Sequence, residues 1–187
     1  MVIITIGGNP GSGKSTVGKM LAARLEIPFF SMGSIRRKYA LENGMTFAEF
    51  NKKLGSDPKY DLVVDEYQTK LLKLYDSFIV DSRLGYHFLP KSVKIYLRVD
   101  PSIAAQRVHG ESRVIESANE IGDLQKLLQE RESFDMKRYR EYYNIDPSNP
   151  QNYDLVIDST NTDPITMMHK ILLFLRLKGV KIPDEKR

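Results

Sequence analysis

The chain has 187 residues, 41% of them apolar, enough for one domain with its own core. It contains no cysteine, which excludes a disulfide framework, a thiolate nucleophile and a cysteine-held zinc, and its three histidines (His87, His109 and His169) are too scattered for a metal cluster. The charge of +4 arises from 28 basic residues interspersed with 24 acidic ones, so no single-sign run marks a nucleic-acid footprint, and no apolar run nears the ~20 residues of a membrane span. These features lead us to expect a cytoplasmic, soluble monomer.

In chain order, VIITI at 2–6 reads as a first strand that opens into GNPGSGKST at 8–16. Gly8, Gly13, Lys14 and Ser15 fit G-x-x-x-x-G-K-[ST], between that strand and a helix with Val17, Met20, Leu21 and Leu25 on its apolar face. Residues Gly8, Asn9, Pro10, Gly11, Ser12, Gly13, Lys14, Ser15 and Thr16 would then wrap a triphosphate. The glycines let backbone N–H groups converge on an anion, and the helix adds the positive end of its dipole. Lys14 would reach the β- and γ-phosphates of ATP, and Ser15 would ligate Mg²⁺. Such a loop announces the nucleotide but not the reaction.

A weak strand, IPFF at 27–30, leads into MGSIRR, which places Arg36 near a helix start. Thr46 and Glu49 have capping-box spacing, and Asp57-Pro58, Asp100-Pro101 and Asp163-Pro164 each set a capping aspartate before a proline. FIVD at 78–81, VKIYLRV at 93–99 and DLVID at 154–158 complete the strands, and the tail KIPDEKR reads as frayed. Continuous apolar strands alternating with helices predict a doubly wound α/β fold with a parallel sheet. Ligands of such a fold bind at the carboxyl ends of its strands.

What receives the phosphate must come from elsewhere. The last loop reads STNTDP and lacks the N-K-x-D of a guanine-reading switch, and FIVD continues into Ser82 and Arg83 instead of the Asp-Glu of a mechanical ATPase. Arg36 and Arg83 both fall at the ligand edge, where a guanidinium fork can grip phosphate oxygens. In LQKLLQERESFDMKRYREYY one helical stripe runs Leu124, Leu128, Arg131, Asp135, Arg138 and Tyr142, so a core-facing row becomes charged midway. Two readings follow. Either Asp135 holds Arg131 and Arg138 in a cavity, or the apolar face drifts to Leu127 and Phe134 and the charges are solvated.

The loop, MGSIRR, the Asp81-Ser82-Arg83 turn and the run Arg131, Glu132, Asp135 and Arg138 resemble nucleoside monophosphate kinases, most closely the short, archaeal-type cytidylate kinases. The similarity takes in ENGMTFAEFN and RYREYYNID and spans nearly the whole chain. It implies a P-loop fold with five strands in the order 2-3-1-4-5 and a core of 1–31, 73–107 and 131–187. An NMP-binding insertion would lie near 32–72 and a lid near 108–130. The implied reaction passes a phosphoryl group from Mg-ATP to CMP or dCMP. Arg36 and Arg83 match arginines on the acceptor's phosphate, and Arg131 and Arg138 match arginines on the transferred group. Asp135 matches a residue contacting the acceptor nucleotide, and Arg107 one that lies against the donor adenine. Ser82 stands where these kinases often have glycine, and no side chain could be assigned to the acceptor base.

An acceptor phosphate oxygen is already anionic, so the reaction needs no general base, and the sequence offers none. Asp81 would support Mg²⁺ or else simply end its strand, and His109-Gly110 would be the hinge of the lid. Other readings are an AMP or UMP kinase using the same arginines, a kinase of a non-nucleotide small molecule, or a nucleotide-dependent regulatory module that binds RNA.

Overall fold

The computed structural model describes residues 1–54, 56–57, 59–110 and 121–184. Within them, β1 (Ile3–Gly8), β2 (Phe29–Ser31), β3 (Phe78–Asp81), β4 (Val93–Arg98) and β5 (Leu155–Asp158) form one parallel sheet in the order β2-β3-β1-β4-β5. This is the order the resemblance implied. The central strands β1 and β3 are buried almost throughout, as their unbroken apolar runs require once helices cover both faces. Their register aligns Ile6 with Asp81, and that of β1 with β4 aligns Gly8 with Leu97, so the three carboxyl ends meet at one edge.

Two strand bounds differ from expectation by two residues, and others by one. β1 continues through Gly7 and Gly8, because the chain pairs with β4 until it turns into the loop. The second strand begins only at Phe29, because residues 26 and 27 still close the end of the first helix, α1 (Lys14–Leu25).

On one face, Val17, Leu21 and Leu25 of α1 and Met167, Ile171 and Leu175 of α8 (Pro164–Leu177) pack on Ile4, Ile6, Ile95 and Leu97. Each such side chain contributes roughly 1.5–3 kcal/mol of burial energy. On the other face, α2 (Met32–Glu42), α4 (Lys59–Leu74) and the one-turn α5 (Gly85–Phe88) bring Met32, Val64, Leu71 and Leu89 onto Phe78 and Val80. Between α2 and α4, α3 (Phe47–Leu54) builds a small cluster of its own from Ala40, Phe50 and Leu54. The segment α2–α4 therefore enters from β2 and returns to β3, over the span expected for the NMP-binding insertion.

α6 (Pro101–Gly110) packs Ala105 against Leu124 and Leu128 of α7 (Ile121–Tyr143). The expected lid at 108–130 falls partly outside the described residues, at 111–120. His109 and Gly110 end α6, and residues 121–130 are the first turns of the helix that carries Arg131 and Arg138.

The cap expectations hold. Asp163 accepts from the backbone N–H groups of Ile165 and Thr166, and Asp100 from Ser102. Asp57 accepts from the N–H of Lys59, with Pro58 outside the described residues. Thr46 and Glu49 exchange both hydrogen bonds of the capping box. The tail is a correction: Ile182 packs on the main core and the Pro183 carbonyl accepts a 2.6 Å hydrogen bond from Arg24, so the apolar residues dock the start of a segment that reads as frayed. Residues 185–187 lie outside the described residues. Among the described residues no helix is long and apolar enough to cross a membrane.

Candidate active site

Gly8 leaves β1 at φ 137°, and a Cβ there would lie 2.0 Å from the Leu97 carbonyl oxygen, so the turn admits only glycine. Gly11 and Gly13 also adopt positive φ, and Gly13 opens α1 with no side chain capping its first N–H groups. A phosphate would satisfy those donors. Lys14 Nζ instead donates to the loop's own Asn9 carbonyl at 2.6 Å and reaches Ser12 Oγ at 3.4 Å. Enclosure lowers the Lys14 pKa to about 8; Asp81 opposes the fall, while Arg83 and Arg131 add to it. Thr16 is exposed on the first turn of α1.

Ser15 Oγ donates a 2.5 Å hydrogen bond to Asp81, which also accepts from Ser31 Oγ. A nearly buried carboxylate thus stands directly behind the Ser15 hydroxyl. Among the described residues no three histidines or carboxylates converge. That donor set suits Mg²⁺, which binds through few protein oxygens together with substrate phosphates and waters. Ser82, in place of the usual glycine, is buried without strain, and its Oγ accepts from the Leu84 N–H.

At the β4–β5 end, Arg107 donates to the carbonyls of Ser159, Thr160 and Gly11. It thereby ties the phosphate loop to the last strand loop, beside a groove of about 470 Å³ lined by Arg98, Asp100, Asp158 and residues 160–162.

The charged stripe of α7 faces inward. Asp135 and Arg138 are 4% and 3% exposed, whereas Phe134 is 43% exposed, which decides between the two helix readings. Asp135 pairs with Arg83 and, at 2.8 Å, with Arg138. Asp61 of α4 lies 3.2 Å from Arg138 Nε and 4.0 Å from Arg36. The guanidinium of Arg131 lies over the Phe47 ring of α3, 5.3 Å from its centroid. Arg36, Arg83, Arg131 and Arg138 thus converge from α2, the β3–α5 turn and α7, with Asp61 and Asp135 between them. Burial would raise the Asp135 pKa, but Arg83, Arg138, Arg36 and Arg131 outweigh it and hold it below the usual carboxylate value. Burial, together with Arg83, pushes Arg131 down to about 10. A site whose cations crowd one another in this way gains by taking in an anion.

Sequence reasoning placed the stripe's aromatic end at Tyr142, yet Tyr139 is the fully buried ring, 4.9 Å below Arg138. It also missed Asp61, Asp65 and Gln68. Their spacing of four and three, in register with Val64 and Leu71, signals polar residues on an apolar stripe. Asn9 was expected only as loop backbone. Its amide donates to Glu132 of α7 and accepts from the Tyr96 hydroxyl, binding the arginine helix to the loop.

The Cytidylate kinase-like family model matches residues 3–161. The chain is similar to "Cytidylate kinase" of Archaeoglobus fulgidus, 32% identical over 187 residues and covering 98% of this chain and 99% of that one. It is similar to "Cytidylate kinase" of Methanobrevibacter smithii, 34% identical over 177 residues with 94% and 99% covered. A third relative, "S-adenosylmethionine-dependent nucleotide dehydratase" of Lacinutrix mariniflava, is 34% identical over 164 residues, and the match takes in 87% of this chain but only 33% of that protein. In fold, the chain resembles shikimate kinase from Bacteroides thetaiotaomicron, with a TM-score of 0.66 at 14% identity and 96% and 99% covered. The chain belongs to the cytidylate kinase-like family.

Proposed function

We propose that the protein is a cytidylate kinase that transfers the γ-phosphoryl group of Mg-ATP to CMP or dCMP, giving ADP and CDP or dCDP. The observation that carries this is a cluster of four arginines, two of which (Arg83 and Arg131) reach the lysine of the phosphate loop, in a chain whose full-length archaeal relatives are cytidylate kinases. A hydroxyl acceptor would need a base; this arrangement offers cations instead.

Residues 8–16 hold the triphosphate, and Arg107 borders the donor base. Ser15, backed by Asp81, takes the Mg²⁺, which neutralises charge on the β- and γ-oxygens when bound. Arg36 and Arg83 hold the acceptor's phosphate and exchange their carboxylate partners for it. An oxygen of that phosphate then forms the new P–O bond as the bond from the γ-phosphorus to the bridging oxygen breaks. Arg131, Arg138 and Lys14 stabilise the charge spread over the equatorial oxygens. Water has to be kept out, and movement of the α2–α4 insertion would close the site only over both nucleotides.

The test is ADP formation from Mg-ATP with CMP, dCMP, UMP, AMP or GMP, beside a reaction without acceptor. Turnover with CMP or dCMP is expected, with little ADP formed in the control. Turnover with AMP alone would keep the mechanism and overturn the acceptor, and ATP loss indifferent to every monophosphate would overturn the kinase.

A further inference from the structure

A CMP kinase must recognise a base as well as a phosphate, and α4 carries polar side chains that phosphate binding leaves unused. Its inward row is Asp61, Asp65 and Gln68, exposed by 1%, 6% and 1%. Asp61 faces Arg36 and Arg138, at the phosphate end. Asp65 stands one turn further along α4. It accepts a hydrogen bond from Tyr143, which lies five residues beyond Arg138 on α7. Both steps measure about 6–7.5 Å along their helices, roughly the width of the ribose that separates a nucleotide's phosphate from its base.

The chemistry there is one-sided. Asp65 is a carboxylate with capacity for more hydrogen bonds than Tyr143 supplies, and Gln68 Oε1, in register one turn on, is buried with no hydrogen-bond partner. Buried acceptors left unmet cost free energy and call for a donor. Tyr143 lies 5.7 Å from the Phe88 ring, edge to face, and 6.1 Å from the tilted His87 ring, so aromatic rings border those acceptors. A planar ring carrying an amino donor suits such a place.

We propose that Asp65, positioned by Tyr143, reads the acceptor base by accepting a hydrogen bond from the exocyclic amino group of cytosine. This rests on the CMP kinase reading. Uracil presents a carbonyl oxygen at the same position, so the carboxylate rejects it by repulsion as well as by the lost bond. Asp65 and Gln68 are buried between α4 and its neighbours, so the base enters when α4 moves away from α7.

The experiment measures kcat/KM for CMP and for UMP with Mg-ATP in the full chain and in Asp65→Asn. The amide donates to the uracil carbonyl, so the CMP:UMP ratio is expected to fall about 10- to 100-fold, with UMP gaining as CMP loses. An unchanged ratio, or parallel loss on both substrates in a folded variant, overturns the proposal.

A second readout needs no variant. Burial pushes Asp65 up to about 6 against the Tyr143 hydrogen bond; Asp61 on its own helix raises it further, and Arg36 on α2 and Arg138 on α7 oppose. The wild-type CMP:UMP ratio is therefore expected to fall as pH drops from 8 to 5, because the protonated carboxyl donates to uracil. Titration of the acceptor phosphate cancels in this ratio, and a flat profile overturns the proposal even if Asp65→Asn does not fold. A wild-type chain that ignores CMP altogether would overturn the function itself; one that uses CMP with a preference blind to both changes would overturn Asp65 alone.

Discussion

The proposed donor and acceptor sides of this site are built in opposite ways. The phosphate loop is local: within nine residues, glycine geometry, a lysine and a helix start make an anion site out of one stretch of backbone. The acceptor side is assembled from α2, the β3–α5 turn, α4 and α7, and its arginines are occupied by Asp61 and Asp135. A cradle made of backbone tolerates little change in the chain itself. A network of paired side chains tolerates change only when charge stays balanced.

The largest expected effect is on the donor side. Gly8→Ala would place a methyl group on the Leu97 carbonyl at a φ that alanine avoids. The loop's donors act together, so kcat/KM for Mg-ATP is expected to fall on the order of 10³-fold, while CMP binding measured by calorimetry persists. Equal loss of both would show the two sides to be one unit.

On the acceptor side, Asp61→Asn removes the carboxylate between Arg36 and Arg138 and leaves Asp135 alone to balance them. The ligand-free protein should lose about 3 kcal/mol of stability. Addition of CMP should raise its melting temperature more than that of the wild type, since the phosphate restores the missing charge. An equal ligand shift in both proteins would show that Asp61 does not stand where the phosphate goes.

The smallest effect is on pH. Because the Lys14 pKa is lowered to about 8, the ammonium is present below that pH and lost above it. kcat/KM for Mg-ATP, which reports the free enzyme, is therefore expected to fall tenfold per unit above about pH 8. A profile flat to pH 9.5 would contradict the assignment.

The same contrast explains what could be read from the sequence. The loop and the caps at Asp100, Asp163 and Thr46 depend on neighbours a few residues away, and they stand as expected. The inward turn of Arg131, Asp135 and Arg138 was one of two readings, because periodicity locates a stripe and only packing tells which stripe is covered. Asp61, Asp65 and Gln68 went unread although α4 carries them at helical spacing, since a buried carboxylate makes sense only once a partner from a distant helix is known. The Asn9–Glu132 contact, between residues 123 apart, had no local signal.

Arg131 is proposed to act on the group in transit, not merely to hold substrate. Its most direct test is Arg131→Ala, comparing kcat for CMP phosphorylation with the dissociation constant for CMP. kcat is expected to fall on the order of 10³-fold with CMP affinity changed only a few-fold. A retained kcat with weakened CMP binding would contradict that role and would make Arg131 a substrate clamp.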